Sequence, residues 1–282
     1  MENIKIYAFA DEADSSIDGQ IKAMLRNNLH GLEIRGVDGQ NISDISIQKA
    51  KEVKAKLDDN CLATWSIGSP IGKIKIDEDF ASHLEKFKHT LEIADTLNAK
   101  NIRLFSFYLP DNNNASEYKN EVIDRIGKFI DLAKDSGINL CHENEKGIYG
   151  DTPERCLDLF ENLPELKGIF DPANFVQCDV DTLYAWKLLK KYISYMHIKD
   201  SQKGGFIVPA GFGDGNLKTI IKEYLEQGGR DFTMEPHLAV FEGLAALEQE
   251  GEKSAVASFK YNSNDEAFDT ACITFKKIIE EI

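Results

Sequence analysis

The sequence has few of the residues that build sulfur-based sites. Its 282 residues include five cysteines, which are widely spaced and form no CxxC pair. An odd number of scattered cysteines predicts neither a disulfide framework nor a thiolate zinc site. We therefore expect free thiols, with Cys61 and Cys141, which lie in apolar runs, serving as small core residues.

Long apolar segments and an excess of positive charge are also missing. No run of about eighteen apolar residues occurs, so no membrane-spanning helix is predicted. The N-terminal segment has no basic stretch followed by an apolar one, so no signal peptide is expected. The formal net charge of −15 would repel phosphate backbones and anionic membranes, which argues against nucleic acid or a membrane as partner. These features together predict a cytoplasmic protein.

Short β-rich runs alternate with longer helical patterns along nearly the whole chain. The eight predicted strands are Ile4–Phe9, Gly31–Arg35, Cys61–Ile67, Asn101–Phe107, Ile138–Glu143, Lys167–Phe170, Ile193–Ile198 and Asp231–Glu235. Between them apolar residues recur with the period of a helix, as in 17–29, 80–97 and 122–133, and a last helix is predicted over Asp265–Ile279. Eight strand–helix units predict an α/β fold of the (β/α)8 TIM barrel type. An open doubly wound sheet shares the alternation and is the alternative.

The chain has no linker or low-complexity tract that would divide it, so residues 1–282 are expected to form one barrel domain. Two long connections, 201–216 and 238–262, follow the seventh and eighth predicted strands. The first is rich in glycine, and the second contains a charged segment predicted to be helical. Both would lie over the active-site face, where long loops often carry function.

Four predicted strands in the second half end on a side chain that can bind a metal. Glu143, Asp171, His197 and Glu235 are spaced 28, 26 and 38 residues apart, and each interval fits one strand–helix–strand step. In a barrel these strand ends meet on one face, where converging carboxylates repel each other unless a cation lies among them. Three carboxylates and one imidazole suit Mn²⁺, Mg²⁺ or Co²⁺ better than a structural zinc. Taken singly, each residue could instead cap a helix or serve the fold.

The segments HEN, FDPAN, MHIKD and MEPHL resemble the metal-binding motifs of the xylose isomerase-like barrel superfamily, and their order and spacing are similar to those of the ketose 3-epimerases. The resemblance implies one divalent ion, Mn²⁺ first and Mg²⁺, Co²⁺ or Zn²⁺ as alternatives, and a small carbohydrate substrate. It implies that Glu143 and Glu235 transfer protons on opposite faces of a ketose carbon through a cis-enediolate. Asp171 and His197 would complete the metal site. Relatives of this architecture often form homodimers, and the sequence leaves the oligomeric state open.

Two positions depart from the epimerase pattern. Asn174 stands where a second histidine is expected, and Lys203 stands where an arginine is expected. Both are candidate substrate contacts, as is Glu145, which follows Glu143 by two residues and so shares its side-chain direction along a strand.

Other candidates for the barrel mouth rest on weaker signals. Trp65 could stack on a sugar ring or fill the barrel as core. His237 could contact substrate, support Glu235 or bond a backbone carbonyl. Glu33 and Arg35 end the second predicted strand and are further candidates.

Four functions are compatible with a barrel of this kind. The predicted one is a sugar isomerase or epimerase, and the alternative is a lyase similar to inosose dehydratase that uses the same metal site on a keto-sugar or keto-cyclitol. An apurinic endonuclease is disfavoured because His30, His83 and His89 do not end predicted strands and because the chain is acidic. A metal-free binding protein is disfavoured because all four candidate ligands are present. No arginine-rich phosphate cradle is visible, which favours an unphosphorylated substrate.

Overall fold

Eight parallel strands close into a barrel. The computed structural model describes residues 3–110, 115–241 and 260–282, and the backbone of Ala255–Val256. Strands β1 to β8 of the barrel are Lys5–Ala8, Gly31–Ile34, Ala63–Ile67, Asn101–Leu104, Asn139–Glu143, Lys167–Phe170, Ile193–Ile198 and Asp231–Met234. The first strand pairs with the last over its full length, from Lys5 beside Asp231 to Ala8 beside Met234. The predicted (β/α)8 barrel is therefore confirmed, and the open sheet is excluded.

Helices separate the strands and pack on the outside of the barrel. In the described part of the chain, α1 to α9 are Ile17–Arg26, Ile47–Asp59, Phe80–Thr96, Ala115–Ala133, Pro153–Asn162, Pro172–Gln177, Thr182–Leu189, Leu217–Glu226 and Asn264–Glu280. Several begin where a side-chain oxygen accepts a hydrogen bond from the first turn, as Thr152 does from the backbone N–H of Arg155. The fourth helix begins seven residues before the predicted one, because its polar first turns carry no apolar periodicity. No helix of the described residues is long and apolar enough to cross a membrane.

The barrel interior is apolar only in its lower part. There Cys141, Ile169 and Tyr195 form a small cluster against which Trp65 packs. The Trp65 ring stacks on Tyr7 with 4.7 Å between ring centroids. Polar and charged side chains line the barrel above this layer, so the apolar packing is confined to the lower part of the interior.

The prediction for Cys61 was wrong. All five cysteines are free, and Cys141 is buried as expected, but Cys61 is exposed. It has a φ of +55° in the turn that ends α2, where its backbone N–H donates to the carbonyl of Asp58. Its side chain therefore points away from the core that the apolar run suggested.

The glycine-rich connection after β7 is built around the carboxylate of Asp200. This side chain is buried, and its oxygens accept backbone N–H groups of Ser201, Gly211, Gly213 and Gly215 at 2.9–3.0 Å. A carboxylate with four donors satisfies its buried charge and fixes the path of the loop. The loop is thus anchored at the end of the strand that carries His197.

The same connection forms a hairpin beside the barrel. Asp200–Gln202 pairs antiparallel with Phe206–Val208, which pairs in turn with Ala255–Val256. The connections after β7 and β8 therefore share one small sheet. The charged helical segment predicted within 238–262 lies outside the described residues.

The anchoring of this loop predicts that Gly213→Ala destabilises the protein. A Cβ atom at this position would lie 2.3 Å from Asp200 Oδ1, so the loop or the carboxylate must move. We expect a loss of about 1–3 kcal/mol in the free energy of unfolding, measured by urea denaturation.

Gly127→Ala is the matched control, because this glycine lies in α4 and its Cβ would meet only Leu163, at 3.9 Å. Alanine there should be neutral or stabilise the protein by up to about 1 kcal/mol. Equal stability of the two variants would show that Asp200 does not hold the loop.

Candidate metal centre

The four predicted ligands come together at the C-terminal ends of β5 to β8. Glu143 is the last residue of β5, Asp171 follows β6, His197 lies in β7 and Glu235 follows β8. One donor atom from each lies within 4.8 Å of all the others, and all four residues are buried. Bonds of about 2.0–2.6 Å to a hard divalent cation place its ligand atoms no more than about 5 Å apart. The spacing therefore fits one ion.

Asp171 is held by its backbone and leaves one carboxylate oxygen free of hydrogen bonds. Its backbone N–H and carbonyl are both bonded to the Asn144 side chain, at 3.0 and 2.9 Å. Oδ1 caps α6 by accepting the backbone N–H of Asn174. Oδ2 accepts no hydrogen bond, and Lys199 Nζ lies 2.9 Å from it. A buried carboxylate oxygen to which no N–H or O–H donates is available to a cation.

His197 stands between two groups of carboxylates. Its Nδ1 lies 3.0 Å from Glu143 Oε1 and 3.3 Å from Glu235 Oε2. Its Nε2 lies 3.1 Å from Glu33 Oε2, on the other side of the ring. Burial lowers the pKa of His197, but Glu143 and Glu33 outweigh burial and hold the pKa well above its ordinary value.

Each of the two glutamates accepts a hydrogen bond from a different arginine. Arg103 Nη1 donates to Glu143 Oε2 at 3.0 Å, and Arg35 Nη1 donates to Glu235 Oε1 at 3.2 Å. Both guanidinium groups lie on the ring of Phe9, with Cζ 4.8 and 4.5 Å from its centroid. The two glutamates are therefore fixed in place from below by buried cations.

Lys199 completes the ring of cations. Its Nζ lies 3.1 Å from Glu235 Oε2 as well as 2.9 Å from Asp171 Oδ2, and the side chain is buried. Burial raises the pKa of Glu235, but Lys199 and the hydrogen bond from His197 outweigh burial and hold it well below its ordinary value. Burial also raises the pKa of Glu143, and His197 and Arg103 lower it to about 2. Both glutamates are therefore ionised at neutral pH.

The charges of this network leave room for a divalent cation. Six buried carboxyl groups are connected to three permanent cations: Asp11, Glu12, Glu33, Glu143, Asp171 and Glu235 with Arg35, Arg103 and Lys199. Burial raises the pKa of Glu12 to about 8, so this group is protonated at neutral pH. Burial likewise raises the pKa of Asp171, to about 7. As metal ligands His197 would be neutral and Asp171 ionised, and two negative charges would then remain uncompensated. One divalent ion would balance them.

A second group of possible ligands lies beside the first. Donor atoms of Glu12, Glu235 and His237 also lie within 4.8 Å of one another. Arg35, however, contacts the carboxylates of both Glu12 and Glu235, at 3.3 and 3.2 Å. The guanidinium already balances this group, so the four strand-end residues are the better candidate site for an ion.

Two predicted substrate contacts lie close to the centre. Asn174 is buried, and its Nδ2 donates to Glu143 Oε1 at 3.3 Å and to the carbonyl of Asn144 at 2.9 Å. His237 lies at the mouth, and its backbone N–H donates to Glu12 Oε2 at 2.7 Å. Its Nε2 has no hydrogen-bond partner in the described part of the chain.

The other three predicted contacts lie further out or lower in the barrel. Glu145 is paired with Lys73, whose Nζ lies 2.7 Å from Oε2. Lys203 is exposed on the hairpin, so the lysine that the fold brings to the centre is Lys199. Trp65 lies in the lower layer, where its stacking on Tyr7 is that of a core residue. The histidines of the first half stay away from the centre: His30 bonds the start of β1, and His83 and His89 lie in α3.

The sequence analysis missed Asp11, Glu12 and Arg103. Arg103 did carry a signal, because it lies in the middle of an apolar strand, where a charged residue needs a buried partner. Asp11 and Glu12 lie in a single turn after β1, and no periodicity marks them as inward-facing.

Comparison with known proteins gives the family. A family model described as xylose isomerase-like TIM barrel matches residues 21–255. The chain belongs to the xylose isomerase-like TIM barrel family. None of the curated protein sequences matches the chain significantly.

Solved structures share the whole xylose isomerase-like barrel at low sequence identity. An L-ribulose 3-epimerase is 17% identical with a TM-score of 0.75, covering 100% of this chain and 95% of its own. The IOLI protein, solved with a bound zinc atom, is 16% identical with a TM-score of 0.75 and coverages of 99% and 98%. The probable 3-DHS dehydratase AsbF from Bacillus anthracis is 16% identical with a TM-score of 0.73 and coverages of 97% and 98%. At these identities the likeness establishes the fold alone.

Proposed function

We propose that the protein is a divalent-metal-dependent sugar isomerase or epimerase that acts on a ketose or keto-sugar derivative. The observation that carries the proposal is the pair Glu143 and Glu235. Both belong to the ligand cluster, both are held ionised, and they come from β5 and β8, which lie on either side of the His197 strand in the barrel order. Two carboxylates in this relation suit proton removal and proton return at one carbon.

The ion would be held by Glu143, Asp171, His197 and Glu235. Their oxygen-rich donor set favours Mn²⁺, with Mg²⁺, Co²⁺ or Zn²⁺ as alternatives. When bound, the ion would polarise the substrate carbonyl and stabilise the negative charge that develops on its oxygen. Glu143 and Glu235 would each face one side of the reacting carbon, one taking its proton and the other returning one through a cis-enediolate.

The remaining residues would prepare these two carboxylates. Arg103 and Arg35 keep Glu143 and Glu235 in fixed orientations, so little reorganisation is needed when the proton moves. Asn174, whose amide already contacts Glu143, would donate to a substrate hydroxyl. Glu145 and His237 would contact the distal part of the sugar.

An unphosphorylated substrate agrees with the charges at the mouth. Arg35, Arg103 and Lys199 are engaged by carboxylates of the centre, and Lys73 is engaged by Glu145. A phosphate dianion would have to break one of these pairs. That an L-ribulose 3-epimerase has the same fold supports a small ketose as the substrate.

A dehydratase acting on a keto-sugar or keto-cyclitol is the second candidate. Lys199 favours it, because a buried ammonium beside Asp171 and Glu235 could protonate a leaving hydroxyl, which an epimerase does not require. The probable 3-DHS dehydratase with the same fold supports this chemistry.

The two candidates are separated by incubating the protein with Mn²⁺ and a panel of free ketoses and keto-cyclitols in deuterated water. For an isomerase or epimerase we expect deuterium in the recovered sugar, detected by mass spectrometry and proton NMR. For a dehydratase we expect enone or enol absorbance instead. Treatment with a chelator should abolish either reaction, and added Mn²⁺ should restore it.

The control is Asp171→Asn, which keeps the shape of the ligand but removes the charge that the ion needs. It should require a higher Mn²⁺ concentration for half-maximal turnover. Turnover that persists fully in chelator would contradict the proposed role of the ion. Deuterium exchange without any metal would mean that the carboxylates transfer the proton without an ion.

A further inference from the structure

Glu33 reaches the centre from the side of the barrel that carries none of the four candidate ligands. It lies on β2, three strand positions from β7 in the barrel order, and its side chain is completely buried. Oε2 lies 3.1 Å from His197 Nε2. The imidazole ring therefore lies between Glu33 and the carboxylates of Glu143 and Glu235, and Glu33 contacts the centre through that ring.

Two hydroxyl groups fix the orientation of this carboxylate. Tyr195 Oη donates to Glu33 Oε1 at 2.9 Å, and Ser66 Oγ approaches the same oxygen at 3.3 Å. Tyr195 and Ser66 are themselves 3.1 Å apart. Oε1 of Glu33 thus accepts hydrogen bonds from both hydroxyls, and Oε2 faces the imidazole. A carboxylate buried to this extent needs such donors.

We propose that Glu33 is a positioning residue that sets both the ring orientation and the tautomer of His197. A neutral imidazole carries one N–H, and a carboxylate at Nε2 can only accept it. The proton is then kept on Nε2, and the lone pair of Nδ1 is directed at the space shared with Glu143 and Glu235. The structure thereby assigns Nδ1 as the ligand atom. The inference rests on the proposed metal-binding function.

The substitution Glu33→Gln tests this assignment with almost no change in volume. Tyr195 and Ser66 require an acceptor, so the amide oxygen takes the place of Oε1 and the amide N–H₂ faces Nε2. With the ion on Nδ1, the single proton of the neutral ring stands on Nε2, where the amide offers it a donor instead of an acceptor. The metal complex therefore loses a charge-assisted hydrogen bond, so we expect Mn²⁺ and Zn²⁺ to bind about 10- to 100-fold more weakly, measured by titration calorimetry at constant pH.

NMR spectroscopy of protein that contains ¹⁵N-labelled histidine supplies a readout that does not depend on activity. In the wild type, with or without Zn²⁺, the Nε2-bound proton of His197 should give a slowly exchanging resonance shifted downfield by the carboxylate. In Glu33→Gln, where Nε2 faces an amide, that resonance should move upfield and exchange faster, and the Zn²⁺ complex should have an altered Nδ1 shift.

Asp200→Asn is the control for general damage, because Asp200 is also a buried carboxylate at the end of β7 but contacts backbone N–H groups rather than His197. It should leave the Zn²⁺ affinity within about twofold of wild type and the His197 resonances unchanged, and it should unfold at a lower urea concentration. Equal Zn²⁺ affinity of Glu33→Gln and wild type, with an unchanged Nε2 proton, would overturn the assignment. If the wild type binds no metal but the Nε2 proton still depends on Glu33, the positioning role stands and the proposed function fails.

Discussion

Replacing Glu235 or Glu143 by glutamine is expected to lower turnover by about 10²- to 10⁴-fold, which is the usual contribution of a positioned proton-transfer group. An amide has nearly the shape of the carboxylate and keeps one oxygen that a metal can bind, but it cannot take a proton. The loss should therefore appear in turnover rather than in substrate affinity. Turnover and solvent deuterium exchange are measured together, with metal content determined on the same samples.

Glu143→Gln and Glu235→Gln should differ in the face of the substrate carbon on which proton transfer still occurs. If Glu143 and Glu235 act on opposite faces, each variant keeps the base for one epimer. That epimer should still exchange its proton with solvent without being inverted, while the other should not react. A single shared base would predict loss of exchange with both epimers in one variant and none in the other.

Glu52→Gln is the matched control, since Glu52 is exposed on α2, remote from the barrel mouth. Its turnover should equal that of the wild type. If Glu143→Gln and Glu235→Gln lose their metal completely, the loss of turnover would report ligand removal, and the exchange pattern would vanish for both epimers alike.

The four candidate ligands were predictable because their positions follow from local sequence patterns. Each follows an apolar run of strand length, and the parallel strands of a barrel bring their C-terminal ends to one face. Glu143 and His197 lie within or at the end of strands whose bounds were predicted to within a residue. The chemistry of the donor set follows from residue type alone.

The cations that hold these ligands were harder to predict, because their partners are distant in sequence. Arg35 contacts Glu235 across 200 positions, and Arg103 contacts Glu143 across 40. Which carboxylate an arginine meets depends on the stagger of the strands, as in the irregular register between β2 and β3. Lys203 was predicted as a substrate contact from its position in the family pattern, yet the hairpin that begins at Asp200 carries it outward, and Lys199 lies at the centre instead.

The cation network also predicts that Arg35→Met is among the most destabilising substitutions in the chain. Arg35 is buried, donates to both oxygens of Asp11, and contacts Glu12 and Glu235 at 3.3 and 3.2 Å. Methionine fills much of the same volume but leaves these carboxylates without their cation. Breaking a buried pair on one side typically costs about 3–5 kcal/mol, measured here as the free energy of unfolding in urea.

Arg26→Met is the matched control, because Arg26 makes a comparable pair of contacts, with Asp265 and Asp269, on the surface. Exposed ion pairs contribute about 0–1 kcal/mol, so this variant should lose little. Similar losses in the two variants would mean that burial does not decide the strength of these ion pairs.

The pH dependence of the stability difference between wild type and Arg35→Met provides a second, independent test of this prediction. Without Arg35 the pKa values of the abandoned carboxyl groups rise in the folded protein but not in the unfolded chain. The folded variant then binds more protons than the unfolded chain between the unfolded and folded pKa values, so its stability grows as the pH falls. The pKa of Glu12 is already about 8 in the presence of Arg35, so its part of the effect lies above pH 8. The stability difference between wild type and Arg35→Met should therefore narrow as the pH falls from about 9 to about 5, whereas a loss caused only by poor packing of methionine would stay constant.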